Sequence, residues 1–197
     1  MARRVRLRSN IGLLLSLSFT LLTCQRSETK PPAIFVSADQ PGWRQQGGQL
    51  WLNDVLFSGW QYQLRAHGDT AFAGAFLQGK AEGFHRHWYP DGHRKELRHF
   101  QKGWQEGDQR GWHESGKLAF VYQFKNDVYE GRRQEWYPDG RPARDGYYHE
   151  GQEDGAQRMW FTDGSLKANY VTRQGRNYGF TGVKSCVNVW DSVHTAH

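Results

Sequence analysis

The chain has 197 residues, with 15% aromatic residues and 23 glycines, and a strongly polar mean hydropathy of −0.86. Polarity of that degree suits a disordered chain, but disordered chains are poor in aromatics, so the composition points to thin sheets with one well-buried face or none. The formal charge of +6 is concentrated at the start: Arg3, Arg4, Arg6 and Arg8 are four of the 26 basic residues, the other 22 face 20 acids, and that near-balance excludes the basic excess of a nucleic-acid-binding module.

In chain order, the arginines come first and the apolar run Ile11–Leu22 follows. This is the pattern of a signal peptide over residues 1–23, and the run is short for a membrane span. Leu21-Leu22-Thr23-Cys24 resembles the lipobox of bacterial lipoproteins, with Thr23 where Gly or Ala is usual. The resemblance implies that Cys24 becomes a lipidated N-terminus and that the protein is exported and membrane-anchored. Gln25 after it favours the outer membrane in a Gram-negative source. An ordinary secretory signal or an uncleaved anchor is the alternative reading of the same segment. Residues 24–47 read as a tether, polar up to Pro31-Pro32, which favours extended backbone. Within it Ile34-Phe35-Val36 offers an edge strand and Asp39-Gln40-Pro41-Gly42 has turn chemistry.

From residue 48 the chain repeats. Gly59, Gly83, Gly107, Gly131, Gly155 and Gly179 are each 24 residues apart. Five residues after four of them stand Trp88, Trp112, Trp136 and Trp160, with Leu64 in the first unit. Nine residues after the first five stand Gly68, Gly92, Gly116, Gly140 and Gly164. Tyr89-Pro90-Asp91-Gly92 and Tyr137-Pro138-Asp139-Gly140 are reverse turns: proline presets φ at the first central position and glycine takes the positive φ that follows. A second turn falls at Gln101-Lys102-Gly103, Lys125-Asn126-Asp127, Glu150-Gly151 and Gln174-Gly175. Between turns the side chains alternate, as in Leu118-Ala119-Phe120-Val121-Tyr122-Gln123-Phe124, which marks half-buried strands. Each unit is therefore a β-hairpin. Five units over residues 48–182 predict an all-β, single-layer antiparallel meander on the order of 50 Å long. Gln49–Gly59 reads as a half-repeat capping its start, and residues 183–197 as a C-terminal tail.

These residues resemble MORN-type repeats: a glycine, four residues, a tryptophan and an aromatic, an Asp/Asn-Gly turn, an alternating strand and a second turn glycine. The resemblance covers about 48–182 and is closest to the bacterial variant in proteins labelled YwqK-family antitoxins of toxin–antitoxin systems. It implies a repeat protein that binds a partner and carries no catalytic residues, and for the antitoxin variant a partner toxin. The tail from Gly175 to Cys186 is similar to the ending of some exported members.

The remaining motifs divide between chemistry and packing. Gly111-Trp112-His113-Glu114-Ser115-Gly116-Lys117 has phosphate-loop spacing, but Leu118 stands where magnesium needs Ser or Thr, so it reads as a hairpin turn. His85 and His87, with His93, His99 and His113 nearby, have metal-ligand chemistry. Their equivalents in other units are Gln109/Gly111, Arg133/Glu135 and Gln157/Met159, so these positions read as variable, solvent-facing polar sites and no metal is expected. Cys186, with His194 and His197, is a redox, intermolecular-disulfide or metal candidate, or a buried idle thiol. The expected binding surface is the stacked row Trp88, Trp112, Trp136 and Trp160 on one face and Tyr89, His113, Tyr137 and Phe161 on the other. A single-layer sheet cannot bury both. The expectation is a non-catalytic scaffold lipoprotein, without cofactor, that binds another protein or an envelope component and no nucleic acid. The alternatives are an antitoxin-like partner and a metal or redox accessory protein.

Overall fold

A computed structural model of the protein describes residues 30–182. The leader 1–23, Cys24, and the tail 183–197 with Cys186, His194 and His197 lie outside the described residues. The described chain is all strand and turn: β1 (Phe35–Ser37), β2 (Trp43–Gln46), β3 (Gln49–Leu52), β4 (Val55–Leu56), β5 (Gly59–Leu64), β6 (Thr70–Leu77), β7 (Lys80–Trp88), β8 (Arg94–Gln101), β9 (Trp104–Gln105), β10 (Gly107–Trp112), β11 (Leu118–Lys125), β12 (Val128–Trp136), β13 (Pro142–His149), β14 (Gln152–Trp160), β15 (Leu166–Arg173) and β16 (Arg176–Phe180). From β5 to β16 neighbours in sequence are neighbours in one large antiparallel sheet, with β9 a short segment beside β8.

Two turn geometries alternate, and each follows from its residues. At one long edge the Tyr89 N–H donates to the His93 carbonyl at 2.8 Å and the Gly92 N–H to the Tyr89 carbonyl at 3.0 Å. The same pair of bonds recurs from Arg65, His113, Tyr137 and Phe161. Gly92 sits at φ +85°, a region that costs an L-residue. The Asp91 carboxylate locks the turn by accepting the His93 N–H at 2.9 Å. At the other edge pairs of residues both take positive φ, as in Lys102-Gly103 at +53° and +91°. This is the two-residue turn whose twist matches antiparallel strands. Asn126-Asp127 makes it at +50° and +64° without glycine, which Asn and Asp tolerate.

The start of the array differs from a plain meander. β1 pairs parallel with β5, Phe35 opposite Trp60, so the sheet is not wholly antiparallel. The half-repeat forms its turn at Asn53-Asp54, yet β3 and β4 do not extend the large sheet; with β2 they make a separate three-stranded sheet. The segment expected as a tether thus supplies two strands. Burial explains the arrangement. Phe57, 6% exposed, packs its ring 4.9 Å from that of Trp43 and 6.3 Å from that of Phe76, and the Leu50 N–H donates to the Gly79 carbonyl at 2.7 Å.

One face of the large sheet is packed and the other open. Cross-strand partners His85–Arg98, Gln109–Tyr122, Arg133–Gly146 and Gln157–Tyr170 lie on the packed face. There Phe120 stacks on Tyr122 at 4.4 Å and Tyr129 meets Phe124 and Tyr148 at 4.4 and 5.4 Å. The core is thin: among the described residues the buried hydrophobic side chains are Phe57, Ala75, Tyr148, Ala168 and Tyr170.

Candidate binding surface

The second residue after each repeat glycine is Gln61, His85, Gln109, Arg133 or Gln157. His85 was expected to face solvent and its equivalents to be variable polar positions; the structure buries three of them. His85 is 7% exposed, and Gln109 and Gln157 are fully buried. Each meets the carbonyl ten residues earlier: His85 Nε2–H donates to Ala75 at 2.8 Å, Gln109 Nε2 to His99 at 3.0 Å, and Gln157 Nε2 to Tyr147 at 2.6 Å. The cause is local irregularity. Register shifts fall at Ala73/Ala75 and Gly146/Tyr148 and leave a carbonyl that must find a donor. Desolvation pushes the His85 imidazole down to about 4, against the Ala75 hydrogen bond that raises it. His85 is thus a neutral packing residue, ringed by Phe72, Phe76 and Phe100 within 5.8 Å. No group of three or more His, Cys, Asp or Glu able to hold a metal occurs among the described residues.

Arg133 fills the same position in the fourth unit with a different device. Its guanidinium lies 5.2, 5.0 and 5.8 Å from the rings of Tyr122, Tyr129 and Tyr148 and pairs with Glu135 at 2.7 Å. Glu153 ties Arg144 and the Tyr170 hydroxyl together at 2.8 Å each. Burial, with Glu135 beside it, pushes the Tyr122 phenol up to about 12. The packed face is therefore a closed aromatic and ionic network with few free polar groups.

Trp88, Trp112, Trp136 and Trp160 are all half-buried, but they do not stack on one another. Successive members stand two strands apart, about 10 Å, and the Arg94 guanidinium lies 5.8 Å from the Trp112 ring. Their backbone carbonyls join the units: Tyr89 Oη donates to Trp112 at 2.8 Å, Tyr137 Oη to Trp160 at 2.7 Å, and His113 Nε2–H to Trp136 at 2.8 Å, while Arg65 reaches Trp88. The tryptophan row and the row Tyr89, His113 and Tyr137 thus interlock at one edge, and the phenol hydroxyls are engaged. Phe161, last in the series, is 49% exposed with the Lys167 ammonium 5.6 Å from its ring. Gly68, Gly92, Gly116, Gly140 and Gly164 all hold positive φ in the turns.

Two features escaped sequence reasoning. The residue just before the first four repeat glycines is Ser58, Glu82, Glu106 or Glu130. Its side chain accepts the first N–H of the tight turn twenty residues on, from Gln78, Lys102, Asn126 and Glu150 at 2.8 to 3.1 Å. That recurrence is visible in the aligned units. The second feature is the open face, where Phe84, Tyr147, Tyr178 and Phe180 are 44%, 46%, 56% and 52% exposed. Arg86 lies 5.6 Å from the Phe84 ring and Arg132 5.9 Å from the Tyr147 ring. The signal was the opposite parity in the same strands.

Comparison with known proteins agrees with this geometry over one unit. No curated protein matches the chain. Residues 105–126 match the MORN repeat variant. They span β10, the His113 turn and all of β11, whose hydrogen bonds recur in the other units, so the large sheet is a MORN-type β-meander.

Proposed function

We propose that this protein is a non-catalytic binding and scaffolding protein, held at a cell-envelope membrane by lipid on Cys24, that docks a partner protein on its open face. The observation that carries the reading is the exposed set Phe84, Tyr147, Tyr178 and Phe180 on a one-layer sheet. These aromatics are spread along the sheet, and aromatics beside arginines are the residue types favoured where partners bind. MORN repeats themselves suggest a binding or scaffold role. The edge bonds from Tyr89, His113 and Tyr137, and those to Glu82, Glu106 and Glu130, support a preorganised surface, which lowers the ordering cost of association.

The test is a cross-linking pull-down of the full chain from its native envelope, repeated with Phe84→Ser/Tyr147→Ser. The expected result is a discrete partner lost in the double variant. A partner retained by that variant and lost in Trp112→Ser moves the surface to the tryptophan edge. Capture of a growth-inhibiting toxin whose effect the protein relieves replaces the scaffold reading with the antitoxin one. Palmitate labelling that persists in Cys24→Ala refutes the anchor.

A further inference from the structure

The first repeat has no full repeat before it, and one of its polar side chains lacks the partner that its counterparts find. Gln61 occupies the position of His85, Gln109 and Gln157, each of which donates to a carbonyl ten residues back. Its neighbour on that side is β1, running parallel. Gln61 is half-buried and Gln63 exposed, so the Gln61 amide is partly, and the Gln63 amide freely, open to solvent or a ligand. Gln63, Phe72 and His87 are successive cross-strand partners, so they lie side by side on the packed face, with the Phe72 and His87 rings 4.8 Å apart. This row floors an open depression of about 430 Å³ to which Trp88 and Lys95 also contribute.

The charges around it sort into engaged and free. Arg65, in the wall, is committed to Asp69 at 2.6 Å, to the Thr70 carbonyl at 3.0 Å and to the Trp88 carbonyl, and Asp69 is thereby neutralised. Glu96, next along the row from His87, is paired with Arg98 at 2.9 Å. Among the described residues Lys95 has no ion-pair partner; its ammonium stands 5.6 Å from the Tyr89 ring. The depression therefore offers one half-buried and one exposed primary amide, apolar surface from Phe72 and Trp88, and one cation without an ion-pair partner among the described residues.

We propose that this depression binds a saccharide carrying a carboxylate, a hexuronate unit of an acidic glycan. A primary amide both donates and accepts, so Gln61 and Gln63 can each serve neighbouring hydroxyls. The apolar C–H face of a pyranose lies against Phe72 and Trp88, and Lys95 meets the carboxylate as a point charge. The site opens broadly to solvent, so a longer chain can run past it. The inference rests on the binding reading above, with the ligand held and not converted.

The test is calorimetric titration of the full chain with a galacturonate trisaccharide and with its neutral galactose counterpart. Saturable binding is expected, stronger for the acidic sugar. Gln61→Ala/Gln63→Ala should weaken it by about tenfold or more, and Lys95→Met should remove the preference for the acidic sugar while keeping the neutral one. Unchanged circular dichroism and urea midpoints show that the variants are folded. Absence of saturable binding, binding unchanged in the double variant, or preferential binding of an acidic hexapeptide overturns the site. Cleavage of the trisaccharide would keep the site and overturn the non-catalytic reading. Loss of the docked partner in Phe84→Ser/Tyr147→Ser with saccharide binding intact leaves both standing.

Discussion

His85 shows how much one buried polar side chain decides. Its neutral imidazole donates from Nε2 to the Ala75 carbonyl, and a second proton on Nδ1 would sit against Phe72 and the backbone at Gly74 without an acceptor. The unfolded chain takes up that proton near 6.5 and the folded protein only at about 4. Between those values the unfolded state binds more protons, so stability falls as the pH drops. The contribution, about 3 kcal/mol, is fully present above pH 6.5 and lost by pH 4. His85→Gln copies the residue found at Gln109 and Gln157, keeps a donor for the carbonyl and has no titration in this range. Urea midpoints at pH 7.5 and pH 4.5 should therefore differ less in the variant than in the wild type. An equal acid loss in both would place the acid sensitivity elsewhere.

At the scale of the element, the hairpins owe their definition to their ends. Gly140 sits at φ +92° in a turn that the Asp139 carboxylate locks by accepting the Arg141 N–H at 2.8 Å. Alanine there keeps the contacts but strains the backbone, and Gly140→Ala should cost about 1–2 kcal/mol in urea unfolding. Tyr137→Phe separates packing from stitching. The ring stays, while the Trp160 carbonyl loses the hydroxyl 2.7 Å away, and a loss of about 1 kcal/mol is expected. A neutral result would mean that water replaces the hydroxyl and that the interlocked edge is held by ring packing alone. Strand identity was legible from alternation and turn residues. The interlock was not, because Tyr89 and Trp112 are 23 residues apart and only the register of the folded sheet brings one to the other.

At the scale of the molecule, each unit touches its neighbours and little else, so stability should be close to a sum of unit and interface contributions. Excision of residues 107–130 joins Glu106 to Gly131 and restores the Glu-Gly junction of the neighbouring unit at Glu82-Gly83. The shortened chain should fold, with a urea slope reduced roughly in proportion to the surface removed. Excision of 107–118 breaks the period and should give no cooperative transition. Removal of residues 30–58 takes away β1 to β4, leaving the edge of β5 unpaired and the Phe76 ring without Phe57. Size-exclusion chromatography should then show association, because an uncovered strand edge recruits another. A monomeric product would show that the end sheet is dispensable as a cap.

The sequence by itself determined the period, the two kinds of turn, the strands and the parity of their side chains, since these depend on local backbone preference and on alternation every two residues. It also located the turn glycines and the tryptophan row. Only the tertiary structure decided which parity is packed, because alternation leaves either face of a one-layer sheet eligible until side chains such as Tyr122, Tyr129, Arg133 and Tyr148 meet across the strands on one of them. It decided that Gln109, Gln157 and His85 point inward, since a bulge creates an unpaired carbonyl that no composition rule reveals. It decided that Tyr89 and Tyr137 hold the units together, which leaves Phe84, Tyr147, Tyr178 and Phe180 as the exposed aromatic set. The 24-residue period thus fixes where every element lies, and the register between elements decides which side chains remain free to bind.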